Sequence, residues 1–274
     1  MRQRDDPAAA PSVKFKIIMT TRIQENSRFL SCPRHWSAIL FGLAAGCASL
    51  PALAIEDTGT VGDKRWEINL GTASARTRSG WTIAAPQADF NYGWGDNFQW
   101  MAATAWVTVD DNGEKSKSGL GAAVIGGKWR FIDDDTTGFS MSTFPQYSQN
   151  LGSSAERRGI VEPGSHLFLP VALGYQQGDL GTYGEISRTF TRQGENEWAY
   201  GVKFLHQCAT GIECRLELAR THVPNEVRQT TVTAGFKWHL TQSLLLTGGI
   251  GREFGKSTDA QENLLVQFGV QILR

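Results

Sequence analysis

The chain has 274 residues, with Lys+Arg and Asp+Glu both at 27 and a formal net charge of zero at pH 7, so no charge excess points to nucleic acid or to an acidic partner. Thirty glycines, nine tryptophans, fourteen phenylalanines and a charged fraction of 20% suit an aromatic-rich β-protein better than a helical enzyme. The length allows one large domain or two small ones.

Residues 1–37 show no usable hydrophobic period and carry several basic residues and a Pro-Ala tract. They read as a disordered or over-extended N-terminus, with Met19 an equal candidate for the natural start. Residues 38–54 read as the core and cleavage site of a secretion signal. Arg34 precedes a compact apolar run from Ala38 to Gly46, and Pro51, Ala52, Leu53 and Ala54 supply the small-x-small pattern, so cleavage is expected after Ala54. A membrane anchor fits less well, because the run is short for a bilayer span and Pro51 interrupts it. Lipid attachment at Cys47 is weak as well, since Ala44 stands where such boxes usually carry a larger aliphatic residue.

Residues 55–274 form one β-rich body. The first part, 55–62, reads as a short periplasmic lead into the first strand. Period-2 alternation bounded by Gly, Asn, Asp or Pro then marks about twelve strands: 64–74, 81–92, 98–108, 120–131, 139–147, 166–175, 180–190, 198–207, 215–222, 227–239, 244–253 and 263–273. Connections after the second, fourth, sixth and tenth strands are short (93–97, 132–138, 176–179, 240–243). Those after odd-numbered strands are mostly longer and more polar, as in 110–119, 149–165 and 255–262. Sorting of loop lengths by end is the mark of an up-and-down membrane barrel, with tight periplasmic turns and larger outer loops. A soluble sandwich has no reason to produce it.

Face assignment points the same way, although alternation alone also suits a sandwich. Ile125, Trp129 and Phe131 share one face of their strand while Lys128 and Arg130 take the other. Val266, Phe268, Val270 and Ile272 oppose Gln267 and Gln271 in the last strand. Trp66, Tyr92, Trp100, Trp129 and Trp238 fall near one set of strand ends, and Trp81, Trp106 and Trp198 near the other. Two such belts are what indoles and phenols form at membrane interfaces. The fold expected is therefore all-β: an antiparallel up-and-down transmembrane β-barrel of about 12 strands, located in the bacterial outer membrane.

On this assignment Glu67, Asp89, Lys128, Arg130, Glu185, Lys203, Arg215, Glu217 and Lys237 line the lumen. Nine mixed charges either guide small solutes with little sign selectivity or interlock by salt bridges and plug a narrow barrel. Cys208 and Cys214 bracket a turn-like segment containing Gly211, and a disulfide between them is expected in an oxidising periplasm. Neither cysteine has histidines at metal-site spacing, and no metal or cofactor is expected. Enzymatic readings find little support. The chain has no Gly-x-Ser-x-Gly elbow, Ser187 near Glu185 makes no triad, and Asp133, Asp134 and Asp135 lack the spacing of a calcium loop.

Several blocks carry a family resemblance. Glu56-Asp57-Thr58-Gly59-Thr60 followed by Lys64-Arg65-Trp66-Glu67 resembles the mature N-terminus of the meta-pathway phenol-degradation outer-membrane family. Further matching blocks are Tyr92-Gly93-Trp94-Gly95-Asp96-Asn97-Phe98-Gln99, then Gly119-Leu120-Gly121 leading to Gly127-Lys128-Trp129-Arg130-Phe131. The similarity runs from Glu56 nearly to the end and is most specific in its first third. It implies a transporter-like barrel with a link to phenolic or other aromatic compounds. The chain departs from a common barrel ending, finishing Ile272-Leu273-Arg274 and not on an aromatic residue. The expected function is passive transport of small, aromatic or hydrophobic solutes. The alternative is a non-transporting structural barrel, or a barrel enzyme with a plugged lumen. Expected partners are outer-membrane lipid, a small-molecule solute and the barrel-assembly machinery, with no nucleic acid.

Overall fold

The computed structural model describes residues 55–192, 195–224, 228–255 and 261–274. The segments read as an N-terminal extension and a signal, 1–37 and 38–54, lie outside the described residues, as does Val227 at the start of one expected strand.

Twelve antiparallel strands close into one barrel. In chain order they are β1 (Trp66–Arg76), β2 (Gly80–Gly93), β3 (Phe98–Asp111), β4 (Lys117–Leu120 and Ala122–Asp134) and β5 (Phe139–Thr143 and Gln146–Asn150). There follow β6 (Ser165–Gln177), β7 (Leu180–Thr191), β8 (Glu197–Ala209), β9 (Ile212–His222), β10 (Gln229–His239), β11 (Leu244–Gly255) and β12 (Leu264–Leu273). Each strand pairs with its sequence neighbours, and β1 pairs with β12 from Glu67↔Leu273 to Arg76↔Leu264. Reciprocal bonds between Trp66 and Arg274, at 2.7 and 2.9 Å, seal the seam. Closure leaves no strand edge unpaired, the condition a sheet must meet in hydrocarbon.

Two strands that alternation alone reads as continuous, 120–131 and 139–147, are each broken once. In β5 the interruption falls at Phe144-Pro145, because proline has no N–H for the ladder; the Pro145 carbonyl still accepts from Gly127 N–H at 3.1 Å. In β4 it falls at Gly121, whose N–H reaches Ala105 O at 2.8 Å. Both pieces of each strand continue the same barrel wall.

Connections 94–97, 135–138, 178–179, 210–211 and 240–243 gather at one end, here the short-turn end. The other end carries 77–79, 112–116 and 151–164, together with the ends of β7, β9 and β11, and is the long-loop end. The turn 77–79 departs from the expected sorting. It is tight because Thr77 N–H closes on Gly80 O at 3.0 Å, and Asn112 N–H from the neighbouring loop bonds Ser79 O.

The outward face is apolar and exposed, with Ile125 60% and Trp129 54% accessible and Trp100, Leu173, Ile186, Leu216, Ile250 and Phe268 also open. The inward face buries polar groups: Glu67, Asn91, Gln99, Lys128 and Gln271 are fully enclosed. Such an inversion of the globular pattern makes sense only if lipid covers the outside. Tilted ring pairs Trp66–Phe90 and Trp66–Tyr92, at 4.6 and 4.3 Å, and Phe98–Trp100 at 4.9 Å, form part of the aromatic belt at the short-turn end.

Two segments enter the barrel from opposite ends. Residues 55–61 lie inside the lumen, not outside it as a lead into β1: Ile55, Glu56, Thr58, Thr60 and Val61 are all buried. At the long-loop end, 151–164 carries the short helix α1 (Ser153–Arg157) and folds inward. Its Ala155, Ile160 and Val161 pack against Ala75, Ala84, Ala105, Val107, Val109 and Leu265. No helix among the described residues is long and apolar enough to cross a membrane.

Candidate functional site in the barrel lumen

The lumen is built around the segment 55–61. Its root passes β2 at Gly93, where a Cβ would stand 1.7 Å from Gly62 O, so only glycine allows the approach. From there the backbone climbs inside the wall. Val61 N–H donates to Gln99 Oε1 at 3.0 Å, the Thr60 hydroxyl donates to Asp96 O at 2.5 Å, and Thr58 Oγ1 meets Ser140 Oγ at 2.6 Å. Glu56 N–H then donates to Glu185 Oε2 at 2.9 Å on the far wall. Opposite Thr58 and Ile55 the wall thins to Gly174 and Gly201, whose missing side chains leave the room these two residues fill.

Two lysines hold the segment. Lys128 Nζ donates to Asp57 O at 2.5 Å and lies 3.3 Å from both Glu56 Oε2 and Asp57 Oδ1. Lys203 Nζ donates to Ile55 O at 2.6 Å and stands 4.0 Å from Asp57 Oδ2. Phe144 and Tyr183 lie under these ammonium groups, with ring centroids at 5.6 and 5.2 Å. Charges taken out of bulk water need this dense pairing to be tolerated.

The remaining sequence-predicted lumen residues fall into three places. Glu67 and Asp89 sit in a network on β1 to β3, where Glu67 Oε1 accepts from Asn69 and Asn91 at 2.9 and 3.2 Å. Asp89 Oδ1 accepts from Asn91 at 2.7 Å, and Gln99 Nε2 donates to Asn91 Oδ1 at 3.0 Å. Arg130 is at the short-turn rim, 3.0 Å from Asp133 and donating to Asp96 O at 3.1 Å, so it belongs to a turn and not to the central lumen. Arg215, Glu217 and Lys237 lie on β9 and β10. Arg215 Nε is 3.8 Å from Glu217 Oε1, the Ile55 backbone N–H faces the Glu217 carboxylate, and Lys237 is buried level with Glu213 and Thr247. Glu185 and Glu217 thus flank the start of the inner segment.

Sequence reasoning omitted Asn69, Asn91, Gln99 and Ser140, which are uncharged, and Glu56 and Asp57, which precede the first strand. Parity would have found the first three: Asn69 shares its face with Glu67, and Asn91 with Asp89. It also omitted a second polar group at the long-loop end. There Glu253 accepts from Glu262 N–H at 2.9 Å and from Thr231 at 3.4 Å, and Glu162 Oε2 lies 3.9 Å from His166 Nε2. Among the described residues no group of three or more His, Cys, Asp or Glu is placed to hold a metal ion. Cys208 and Cys214 are joined across the 210–211 turn, with Cα atoms 5.8 Å apart.

The lumen therefore has two characters. The short-turn half is polar and crossed by an ion-paired segment. The long-loop half, on the β1 to β3 and β12 side, is lined by small apolar side chains beneath Ile160.

No family model and no curated protein matches the sequence. Solved structures do match the fold. The COG4313 outer membrane channel from Pseudomonas putida F1 is similar at a TM-score of 0.60 and 11% identity, over 80% of this chain and 98% of that one. KdgM porin is similar at 0.54 and 9% identity, over 75% and 98%. NanC porin is similar at 0.52 and 9% identity, over 76% and 98%. At these identities the likeness is one of architecture, that of outer-membrane channel barrels.

Proposed function

We propose that the chain is a bacterial outer-membrane channel for passive passage of small aromatic or hydrophobic solutes, with residues 55–61 setting the width of its lumen. The observation that carries this is the closed barrel whose exposed wall is apolar and whose interior combines a polar half with an apolar wall under loop 151–164. An aromatic solute finds contact area on that wall, while the mixed charges beyond it favour neither sign. The short-turn end then faces the periplasm and the long loops face outward. Segment 38–54 acts as the export signal, removed after Ala54, and the barrel-assembly machinery inserts the body. Kinship with the meta-pathway phenol-degradation family is supported by the blocks at Glu56–Thr60 and Lys64–Glu67, the first of which occupies the lumen.

One observation favours a second reading, a barrel that does not transport: Lys128 and Lys203 tie the inner segment to the wall through buried pairs. Planar-bilayer recording and flux into liposomes separate the two. Channel events, with a phenol entering vesicles faster than a sugar of similar size, are the expected result. Silent bilayers without flux would sink transport, and a sugar entering faster would overturn the solute class. Recovery of the protein from the soluble periplasm would refute membrane residence.

A further inference from the structure

The outward wall carries a charge pattern that lipid tails do not explain. From β6 through β12 the outward-facing strand positions contain no Asp, Glu or Lys, and their charged side chains are Arg188 on β7, Arg220 on β9 and Arg252 on β11. Arg76 on β1 continues the series. All four lie within three residues of the long-loop end of their strand. At the short-turn end the outward positions of the same strands offer Trp66, Phe204, Trp238 and other apolar groups and no arginine, Arg215 on β9 facing inward beside Glu217. The two rims of the apolar belt are thus chemically different.

Aromatic rings hold three of the guanidinium groups. Arg188 Cζ lies 4.8 Å from the Phe190 ring and 5.0 Å from Trp198; Arg252 Cζ is 5.0 Å over Phe254, and Arg76 Cζ 5.5 Å over Trp81. Stacking fixes the planar forks at one level; the Nε of Arg188 is enclosed, so that fork presents its terminal nitrogens. None of the four pairs with a carboxylate among the described residues. The strands bearing them alternate with strands whose outward positions lack charge, which spaces neighbouring arginines roughly 10 Å apart around the wall.

We infer that Arg76, Arg188, Arg220 and Arg252 form a binding belt for the phosphates of anionic lipid headgroups in the leaflet at the long-loop end, covering the half of the barrel from β7 round to β1. The inference rests on the membrane reading above. Guanidinium forks match phosphate oxygens bidentately, and a headgroup carrying two phosphates can bridge adjacent members of the belt. Nothing on the β3 to β5 side repeats the pattern; there Asp110 occupies the corresponding outward position on β3.

The test uses the full chain purified in zwitterionic detergent and titrated with diphosphorylated lipid A or with the same lipid after phosphate removal. The expected result is phosphate-dependent binding that weakens on the order of a hundredfold in the triple variant R188Q/R220Q/R252Q, at about fivefold per guanidinium near an anionic surface. Heat-modifiable gel migration shows whether the triple variant is folded. The single variant R220Q, at a site with no ring contact, gives an independent reading with an expected loss of about fivefold. Equal binding by variant and wild type, or equal binding of the dephosphorylated lipid, overturns the belt. Wild-type protein that inserts into zwitterionic vesicles but shows no phosphate dependence refutes this inference alone. Failure to insert at all refutes the membrane reading and the belt with it.

Discussion

At the residue scale the lumen turns on two lysines and two glycines. Lys128 faces Glu56 and Asp57 at 3.3 Å with its side chain fully enclosed. Replacing it by Met removes the cation 3.3 Å from both Glu56 and Asp57 and leaves Lys203, 4.0 Å from Asp57, as the other lysine of the seat; breaking a buried pair costs about 3–5 kcal/mol. The inner segment joins none of the strand ladders, whereas Lys128 is fixed on β4, so Lys128→Met is expected to release the segment. Single-channel conductance should rise, protease should cut within residues 55–61, and adding Asp57→Asn should restore part of the wild-type behaviour. If K128M conducts like wild type, the lysine does not seat the segment. Gly174 tests the same seat sterically. A Cβ there would lie 2.6 Å from Ser140 Oγ and 2.7 Å from Thr58 Oγ1. Gly174→Ala is expected to part those hydroxyls, weakening the seat by about 1 kcal/mol, the net worth of one hydrogen bond; channel noise would increase while heat-modifiable migration stays normal.

At the element scale, most of the barrel was legible because a strand's period of two is written directly into its side chains. Trp129 and Phe131 against Lys128 is one such reading, and the Cys208–Cys214 bridge another, since both flank a turn at Gly211. The inward loop 151–164 was read only as a long polar connection. Its contribution comes from Ala155, Ile160 and Val161, too few apolar residues to show a period. Their partners, such as Ala75 and Leu265, lie far away in the chain. Ile160, with no exposed surface, fills the apolar mouth. Ile160→Ala removes buried methyl groups worth about 2–4 kcal/mol, so the loop should loosen and entry of an apolar solute into liposomes should accelerate. The β8–β9 hairpin calls for a contrasting outcome. Its disulfide closes a short loop already paired by the ladder, which caps its stabilisation at about 2 kcal/mol. Cys208→Ser with Cys214→Ser should lower the urea midpoint slightly and leave conductance unchanged, because both sulfurs sit at the short-turn rim on the outward side.

At the scale of the whole molecule, the least legible feature is also the one that decides function. Glu56 and Asp57 look the same in a sequence whether they precede a barrel or fill it. What places them inside is complementarity with Lys128 and Lys203, at separations of 71 and 148 residues for the contacts made to Asp57 and Ile55. No local pattern encodes pairings of that range. The segment lies lengthwise in the lumen and bonds to β3, β4, β5, β7 and β8, while its own backbone joins none of the strand ladders. Deleting residues 56–60 should therefore leave the twelve-strand ladder intact. Heat-modifiable migration is expected to persist, at some cost in stability because Lys128 loses Glu56 and Asp57 and Lys203 loses Asp57. Conductance should rise several-fold if the segment is the main constriction. It should rise little if the apolar mouth under Ile160 limits flow, and in that case the deletion combined with Ile160→Ala should conduct more than either change alone. A deletion that abolishes folding would show that the segment is part of the barrel's core and not a removable occupant of its lumen.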